Sequence, residues 1–183
     1  MKILFIIMQE CFIKRRSKIY RGESFFITLW RGLSMKVSKF TSCEQIKLNL
    51  AGNTKKEVLK ELVEVLEKNN KIGSYDKFYQ AVIDREAEGS TGLGRGVAIP
   101  HGKCDTVKEL SFAVGISKEG IDFNSLDGKP VNFFFMIADL PNDSNKYLKL
   151  LSKLSYGLRK DELRNELLEV DKKSQVLEIL DKF

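Results

Sequence analysis

Histidine is the scarcest reactive residue in this chain: the 183 residues include one, His101. Cysteine occurs three times, as Cys11, Cys43 and Cys104, with no closely spaced pair. One histidine and three scattered cysteines match no metal-ligand pattern, so we expect neither a bound metal nor a cofactor. An odd cysteine count without a secretory signal is typical of a reducing compartment, which indicates a cytoplasmic protein.

Long hydrophobic runs are also absent. The apolar stretches at residues 3–8 and 24–30 are far shorter than the roughly 20 residues that a membrane span requires, and residues 3–8 are too short for a signal peptide. We therefore expect no stable membrane insertion. The basic residues between the two stretches leave peripheral membrane binding open as an alternative, although a leader outside the fold is the interpretation we favour.

Positive charge is concentrated at the start of the chain. Residues 1–34 contain seven Lys or Arg and two Asp or Glu. The remaining residues contain 24 Lys or Arg and 23 Asp or Glu, so their net charge is +1, compared with +6 for the whole chain. The charge of the main part therefore gives no support to nucleic-acid binding. Met35 is a candidate natural start, and we expect a poorly structured N-terminal extension, residues 1–39, followed by one domain, residues 40–183.

The segment that ends in Pro100, His101 and Gly102 is the most informative part of the chain. Four glycines precede a short apolar run at 97–99, and Pro100 cannot donate a hydrogen bond within a sheet. This order predicts a loop, a short strand and an exposed histidine at the end of the strand. The glycine amides could cradle an anion. Hydroxyl and cationic side chains lie in the same segment: Arg85, Ser90, Thr91, Arg95 and Lys103.

A nucleophilic imidazole beside an anion cradle indicates a phosphoryl group carried on His101. The alternative is that His101 is an ordinary hydrogen-bonded residue and that the glycines only form turns. We expect the nearby acidic residues to be solvated: Asp84, Glu86, Glu88 and Asp105. Leu93 and Val97 are candidates for an apolar docking patch, with core burial at least as good an interpretation for Val97.

Residues 90–102, Ser-Thr-Gly-Leu-Gly-Arg-Gly-Val-Ala-Ile-Pro-His-Gly, resemble the signature of the fructose/mannitol-type IIA domains of the bacterial sugar phosphotransferase system (PTS). The resemblance extends from about Phe40 to the C-terminus. It implies a phosphotransferase in which His101 accepts phosphate from the phosphocarrier protein HPr and passes it to a IIB domain. It also implies that Arg85 lies near the phosphohistidine.

One position departs from the family. Many members carry a second histidine in a His-Leu pair, and here that pair is Tyr147-Leu148. Tyrosine can donate one hydrogen bond but cannot become cationic. We therefore expect phosphate to be bound by Arg85, by the Ser90 and Thr91 hydroxyls and by backbone amides such as that of Gly102. A neutral exchange of one polar ring for another is an equally open interpretation.

Three functions remain open at this point. The first is a IIA component for uptake of fructose, mannitol or a related sugar, and the second is a regulatory paralogue of the nitrogen- or potassium-control type. The third is a binding module that keeps the fold but is not phosphorylated, and the intact Pro-His-Gly element with Arg85 argues against it. The sugar and the oligomeric state are left open.

Hydrophobic periodicity predicts an α/β fold with the order β-α-α-β-β-β-α-α-α. A mixed sheet sandwiched between helical layers follows from this order, and it is also the family's fold. Thr54 with Glu57 predicts a capping box, and Ser74 a second N-cap. The expected strands are 46–50, 97–99, 110–116 and 131–138, with a short edge piece at 121–123. The expected helices are 54–69, 74–88, 148–158, 161–168 and 174–183.

Overall fold

The structure is a computed structural model that describes residues 35–142 and 144–183. Within these residues a mixed six-stranded sheet lies between helices on both faces, which confirms the predicted α/β fold. The strands are β1 (Ile46–Lys47), β2 (Gly92–Gly94), β3 (Val97–Ala98), β4 (His101–Lys103), β5 (Ser111–Ile121) and β6 (Val131–Asp139). The α-helices are α1 (Lys55–Lys68), α2 (Tyr75–Ala87), α3 (Ser144–Leu158), α4 (Asp161–Leu168) and α5 (Lys173–Leu180). Two short 3-10 helices, Val37–Phe40 and Cys43–Gln45, precede β1.

Polar side chains start the first two α-helices where the sequence predicts. The Thr54 hydroxyl accepts a hydrogen bond from the Glu57 amide at 3.3 Å, and the Glu57 carboxylate accepts one from the Thr54 amide at 3.1 Å. Ser74 accepts a hydrogen bond from the Lys77 amide at 3.4 Å. These contacts satisfy amides that have no partner inside the helix, so the predicted capping box and second N-cap are confirmed.

The strand order is β1-β5-β6-β3-β2, and β4 pairs with β6 beyond the end of β3. Strands β3 and β4 both run parallel to β6, with Val97 opposite Phe133 and His101 opposite Ile137. Pairing stops between them, as the proline predicts, so that His101 begins a new strand near the end of β6. The separate edge piece expected at 121–123 is wrong, because β5 continues without a break to Ile121.

Strand β6 forms the centre of two hydrophobic cores. Its alternate residues Phe133, Phe135 and Ile137 pack on the face covered by α3, α4 and α5. The intervening Phe134, Met136 and Ala138 pack against α1 and α2. A strand that is apolar on both faces is the pattern expected between two helical layers, and the prediction of a central strand is confirmed.

The packed part of the chain begins before residue 40. Val37 is fully buried, the side chains of Lys36 and Ser38 bind the Asp181 carboxylate, and Lys153 donates to the carbonyl of Met35 at 2.6 Å. The expectation of a poorly structured extension up to residue 39 is therefore wrong for residues 35–38, which contact α3 and the C-terminal end of the chain. The rest of the expected extension, residues 1–34, lies outside the described residues.

Candidate functional site

His101 lies where β4 meets two helices. Its side chain is buried, with a residue exposure of 7%, so the expectation of an exposed ring is wrong. Helix α2 covers β4 closely, because a Cβ on Gly102 would lie 2.9 Å from a Val82 methyl carbon and 3.0 Å from the Phe78 ring. Glycine at 102 thus permits the close packing of α2 on the strand that holds the histidine.

Each ring nitrogen of His101 has a defined partner. Nδ1 donates to the carbonyl of Ile99 at 3.0 Å, and Nε2 accepts a hydrogen bond from Nε of Arg85 at 2.9 Å. A carbonyl can only accept, so the proton is on Nδ1 and the lone pair is on Nε2. The expectation that one ring N–H binds an acceptor and fixes the tautomer is confirmed, and Nε2 is the unprotonated ring nitrogen.

Burial keeps the imidazole uncharged. The pKa of His101 falls from 6.5 to about 4, and burial is the largest cause. The Arg85 guanidinium also lowers the pKa, whereas the hydrogen bond to Ile99 and the carboxylates of Glu86 and Glu88 raise it, and the value of about 4 is the net result. The ring is therefore neutral at pH 7, which is the protonation state that a nucleophilic histidine requires.

Arg85 approaches the ring from the last turn of α2. Besides the bond to His101, its Nη1 donates to the carbonyl of Gly89 at 3.0 Å. Helix α2 ends at Ala87, and Gly89 follows with φ of +151°, which turns the chain away from the helix axis. The guanidinium is thus held between the helix end and the imidazole, as predicted from the position of Arg85 near the end of the helix.

Tyr147 covers the ring from the first half of α3. It is 3% exposed, and its ring centroid lies 5.7 Å from that of His101 at an interplanar angle of 44°. Burial raises the pKa of Tyr147 well above its usual value, the Arg85 guanidinium lowers it and the Asp139 carboxylate raises it. Tyr147 is therefore a neutral side chain beside the histidine, at the position that the family resemblance assigns to a second histidine.

The two predicted hydroxyl ligands bind protein acceptors. Thr91 is fully buried, and its amide and hydroxyl donate to Glu86 at 2.8 Å and 2.6 Å. Ser90 donates to the carbonyl of Phe123 at 3.0 Å. Both residues thus shape the loop before the histidine, and a direct contact of Ser90, Thr91 or Gly102 with phosphate stays a prediction.

The glycines at 94 and 96 form a hairpin turn between β2 and β3. Gly94, Arg95 and Gly96 all have positive φ, and the Arg95 amide donates to Asp127 at 2.8 Å. The Arg95 amide thus already binds a carboxylate, and an anion cradle formed by the glycine amides stays a prediction. Leu93 is also buried in the core, so its interpretation as a docking residue is wrong, and for Val97 the alternative of core burial is confirmed.

Glu86 is the residue of the site that sequence reasoning missed. Its side chain is 6% exposed and pairs with Lys55 at 2.7 Å, so the expectation that it is solvated is wrong. A signal was present in the sequence, because Phe78, Val82 and Glu86 follow one another at a spacing of four residues. That spacing places the carboxylate on the buried face of α2.

Across residues 35–142 and 144–183, no helix is both long and apolar enough to cross a membrane. The same residues bring together no group of three or more His, Cys, Asp or Glu side chains that could hold a metal ion.

Residues 39–183 match the family described as "Phosphoenolpyruvate-dependent sugar phosphotransferase system, EIIA 2". The chain is 38% identical over 146 residues to the PTS system fructose-specific EIIABC component of Bacillus subtilis, covering 80% of this chain but 23% of that protein. It is 34% identical over 144 residues to the PTS system fructose-specific EIIA component of Haloferax volcanii, covering 79% of this chain and 94% of that protein.

A solved structure, the nitrogen regulatory protein IIA-Ntr of Neisseria meningitidis, is also similar. It superposes with a TM-score of 0.74 and 32% identity, over 79% of this chain and 98% of that one. The IIA mannitol protein of Escherichia coli superposes with a TM-score of 0.67 and 25% identity, over 76% of this chain and 98% of that one.

Proposed function

The chain belongs to the EIIA 2 family of the phosphoenolpyruvate-dependent sugar phosphotransferase system, and we propose that it is a phosphocarrier whose phosphorylated residue is His101. It takes a phosphoryl group from phospho-HPr and passes it to a IIB domain. The observation that carries this proposal is the state of the histidine ring. Nδ1–H is bound to the Ile99 carbonyl, and the lone pair of Nε2 faces the Arg85 guanidinium.

The chemical step uses Nε2 as the attacking atom. Its lone pair forms a bond to phosphorus while the bond between phosphorus and the donor's leaving atom breaks, so no proton has to leave His101. The proton stays on Nδ1, bound to the Ile99 carbonyl, so the ring becomes a cationic imidazolium that carries the phosphoryl group on Nε2. Transfer onward to IIB is the same displacement with His101 as the leaving group.

Arg85 supplies the positive charge for this step. In the resting site its Nε–H donates a hydrogen bond to the lone pair of His101 Nε2. This hydrogen bond must break before Nε2 can attack phosphorus. The guanidinium then binds the phosphoryl oxygens, where a charge-assisted, two-point contact is strongest. Tyr147 closes the other side of the ring and adds one neutral hydroxyl donor, which cannot replace the charge of Arg85.

Fructose or a related sugar is the proposed cargo of the system, since the relatives named above are fructose-specific components. A IIB domain is the proposed receiver, and an Escherichia coli IIA mannitol protein of this fold has been solved in complex with phosphorylated IIB. The chain covers 23% of the Bacillus subtilis protein, so the sugar and the partners of this chain belong to the proposal.

A regulatory role is the second candidate. Besides the Neisseria meningitidis structure, a curated nitrogen regulatory protein of Bradyrhizobium diazoefficiens is 29% identical over 137 residues and is covered over 86% of its length. In such a role His101 would be phosphorylated by the same route, and its phosphorylation would control target binding. Transfer onward to a sugar-specific IIB domain separates the two candidates.

The proposal is tested with phosphoenolpyruvate labelled with ³²P, enzyme I and HPr. We expect acid-labile label on the wild-type chain and none on His101→Ala, with folding of both compared by circular dichroism. Equal acid-labile label on the two proteins would refute His101 as the phosphorylated residue. Adding a fructose-type IIB domain to the labelled chain then tests the uptake role, because a purely regulatory protein should retain its label.

A further inference from the structure

Glu86 is a buried carboxylate for which the proposed reaction has no direct use. It binds three donors at once: Lys55 Nζ at 2.7 Å, the Thr91 amide at 2.8 Å and the Thr91 hydroxyl at 2.6 Å. A carboxylate that is 6% exposed is stable only when its oxygens are fully bound. Glu86 therefore ties the end of α2 to the start of α1 and to the loop before the histidine.

The backbone continues this connection to the imidazole. The carbonyl of Thr91 accepts a hydrogen bond from the Ile99 amide at 3.1 Å. The carbonyl of that same residue, Ile99, accepts the proton of His101 Nδ1 at 3.0 Å. Ile99 is thus bound to Thr91 through its amide and to the His101 ring through its carbonyl. A shift of Thr91 would therefore move the Ile99 carbonyl, which is the acceptor that fixes the tautomer.

Helix α2 provides the second connection. Glu86 is the immediate neighbour of Arg85, whose Nε binds the other ring nitrogen. The Glu86 carboxylate therefore anchors both the end of α2, which carries Arg85, and the loop at Thr91, which positions the carbonyl of Ile99. We propose that Glu86 is a positioning residue for His101, acting through the backbone that lies between them. This inference rests on the proposed function for its kinetic consequence but not for its structural one.

The tautomer of His101 is the direct readout. Because the chain contains one histidine, the ring ¹⁵N signals of the full-length, unphosphorylated protein need no assignment by mutation. We expect the wild type to show Nδ1 protonated and Nε2 unprotonated. In Glu86→Gln, the side-chain NH₂ faces donors that need an acceptor, so Thr91 shifts and a second population protonated on Nε2 becomes measurable.

Glu61→Gln is the matched control. Glu61 is also a largely buried carboxylate, 11% exposed, paired with Lys47. It accepts two backbone amides, from Ala51 at 3.1 Å and Gly52 at 3.0 Å, but has no connection through these bonds to the histidine. Glu61→Gln should lower the thermal midpoint as Glu86→Gln does, and it should keep the wild-type tautomer.

Thr91 offers an independent variant should Glu86→Gln fail to fold. Thr91→Val removes the hydroxyl donor to Glu86 and should also produce a measurable Nε2–H population, whereas Thr91→Ser keeps the hydroxyl and should match the wild type. A wild-type tautomer in folded Glu86→Gln, or in Thr91→Val when Glu86→Gln does not fold, would overturn the proposal. A second tautomer in Glu61→Gln as well would also overturn it, because the effect would then be a general loss of stability.

Transfer kinetics from phospho-HPr provide the functional readout. Misplacing a reacting group lowers the rate of the chemical step, so Glu86→Gln should reduce kcat about tenfold with KM for phospho-HPr unchanged. A rise in KM at constant kcat would overturn the positioning role. If the wild type accepts no phosphate at all, the proposed function fails, and the tautomer measurement still decides the role of Glu86.

Discussion

The segment from Arg85 to Lys103 contributes to two regions near opposite ends of β6: the histidine end, where Arg85 meets His101, and the hairpin end, where the turn between β2 and β3 lies. Both ends have an arginine, glycines and a nearby carboxylate. At one end, Arg85 contacts the nitrogen of His101. At the other, Arg95 lies in the hairpin turn, its amide bound to Asp127 and its guanidinium 3.4 Å from the carbonyl of Arg159.

Strand β6 separates the two ends. The hairpin turn lies beside Phe133 and the histidine beside Ile137, so they are about 13 Å apart at roughly 3.3 Å per residue. The Arg95 guanidinium therefore lies at the C-terminal end of α3, where a positive charge interacts favourably with the last carbonyl groups of the helix. The same type of side chain contacts the histidine ring at one end and a backbone carbonyl at the other, and its neighbours in space decide which.

The largest expected difference between the ends is in the pH dependence of stability. The pKa of His101 is about 4 in the folded protein against 6.5 without burial, so the unfolded chain binds the proton more readily. The free energy of unfolding should thus rise with pH between about 4 and 6.5, by on the order of 3 kcal/mol. Urea unfolding at several pH values measures this, and His101→Gln should remove the rise.

The hairpin end should respond in a different pH window. Burial opposes ionisation of Asp127, but hydrogen bonds from the amides of Arg95 and Lys129 hold its pKa below the usual 3.8. Its contribution is present above that value and is lost as the pH falls further. Asp127→Asn should therefore lower the free energy of unfolding by a constant amount at pH values well above 3.8 and change the slope of the pH profile only at the acid end, so an altered slope near pH 6 would contradict the separation.

Arg85→Ala should have the next largest effect, and it acts on transfer. A charge-assisted contact contributes about 1.5–3 kcal/mol, which is roughly ten- to a hundredfold in the initial rate of transfer from phospho-HPr. Arg85→Lys keeps the charge but loses the planar two-point donor, so its transfer rate should lie between those of the wild type and Arg85→Ala. A wild-type rate for folded Arg85→Ala would show that another group binds the phosphoryl oxygens.

Tyr147→Phe should have a smaller effect on the same rate. It removes one neutral donor, so we expect a loss of about two- to tenfold. Tyr147→His introduces a side chain that can become cationic and should hold or raise the rate. If Tyr147→Phe is inactive while Arg85→Ala is unaffected, Tyr147 has the role that we assign to the arginine.

Arg95→Ala should have the smallest effect. Its contact with Asp161 is 3.6 Å long and partly exposed, and such pairs contribute up to about 1 kcal/mol. We expect a slightly lower thermal midpoint and an unchanged rate of transfer from phospho-HPr. A tenfold loss of transfer would mean that the hairpin turn belongs to the functional site.

The sequence alone determined the elements whose causes are local. The capping box at Thr54, the break at Pro100 and the apolar run of β6 all depend on nearest neighbours along the chain, and each is found in the structure. Arg85 was also predicted near His101, since a helix that starts at Ser74 brings residue 85 to its last turn.

Only the tertiary structure decided which polar groups meet. The burial of His101 depends on α2 and α3, which pack beside β4 although they are separate from it along the chain. No local sequence pattern could therefore show that the ring is covered. For Glu86, helical spacing could indicate the buried face of α2 but not the pairing, because its partners Lys55 and Thr91 lie 31 residues before it and five after it. Hydrogen-bond donors and acceptors pair by distance in space, and that distance is set by the packing of whole helices on the sheet.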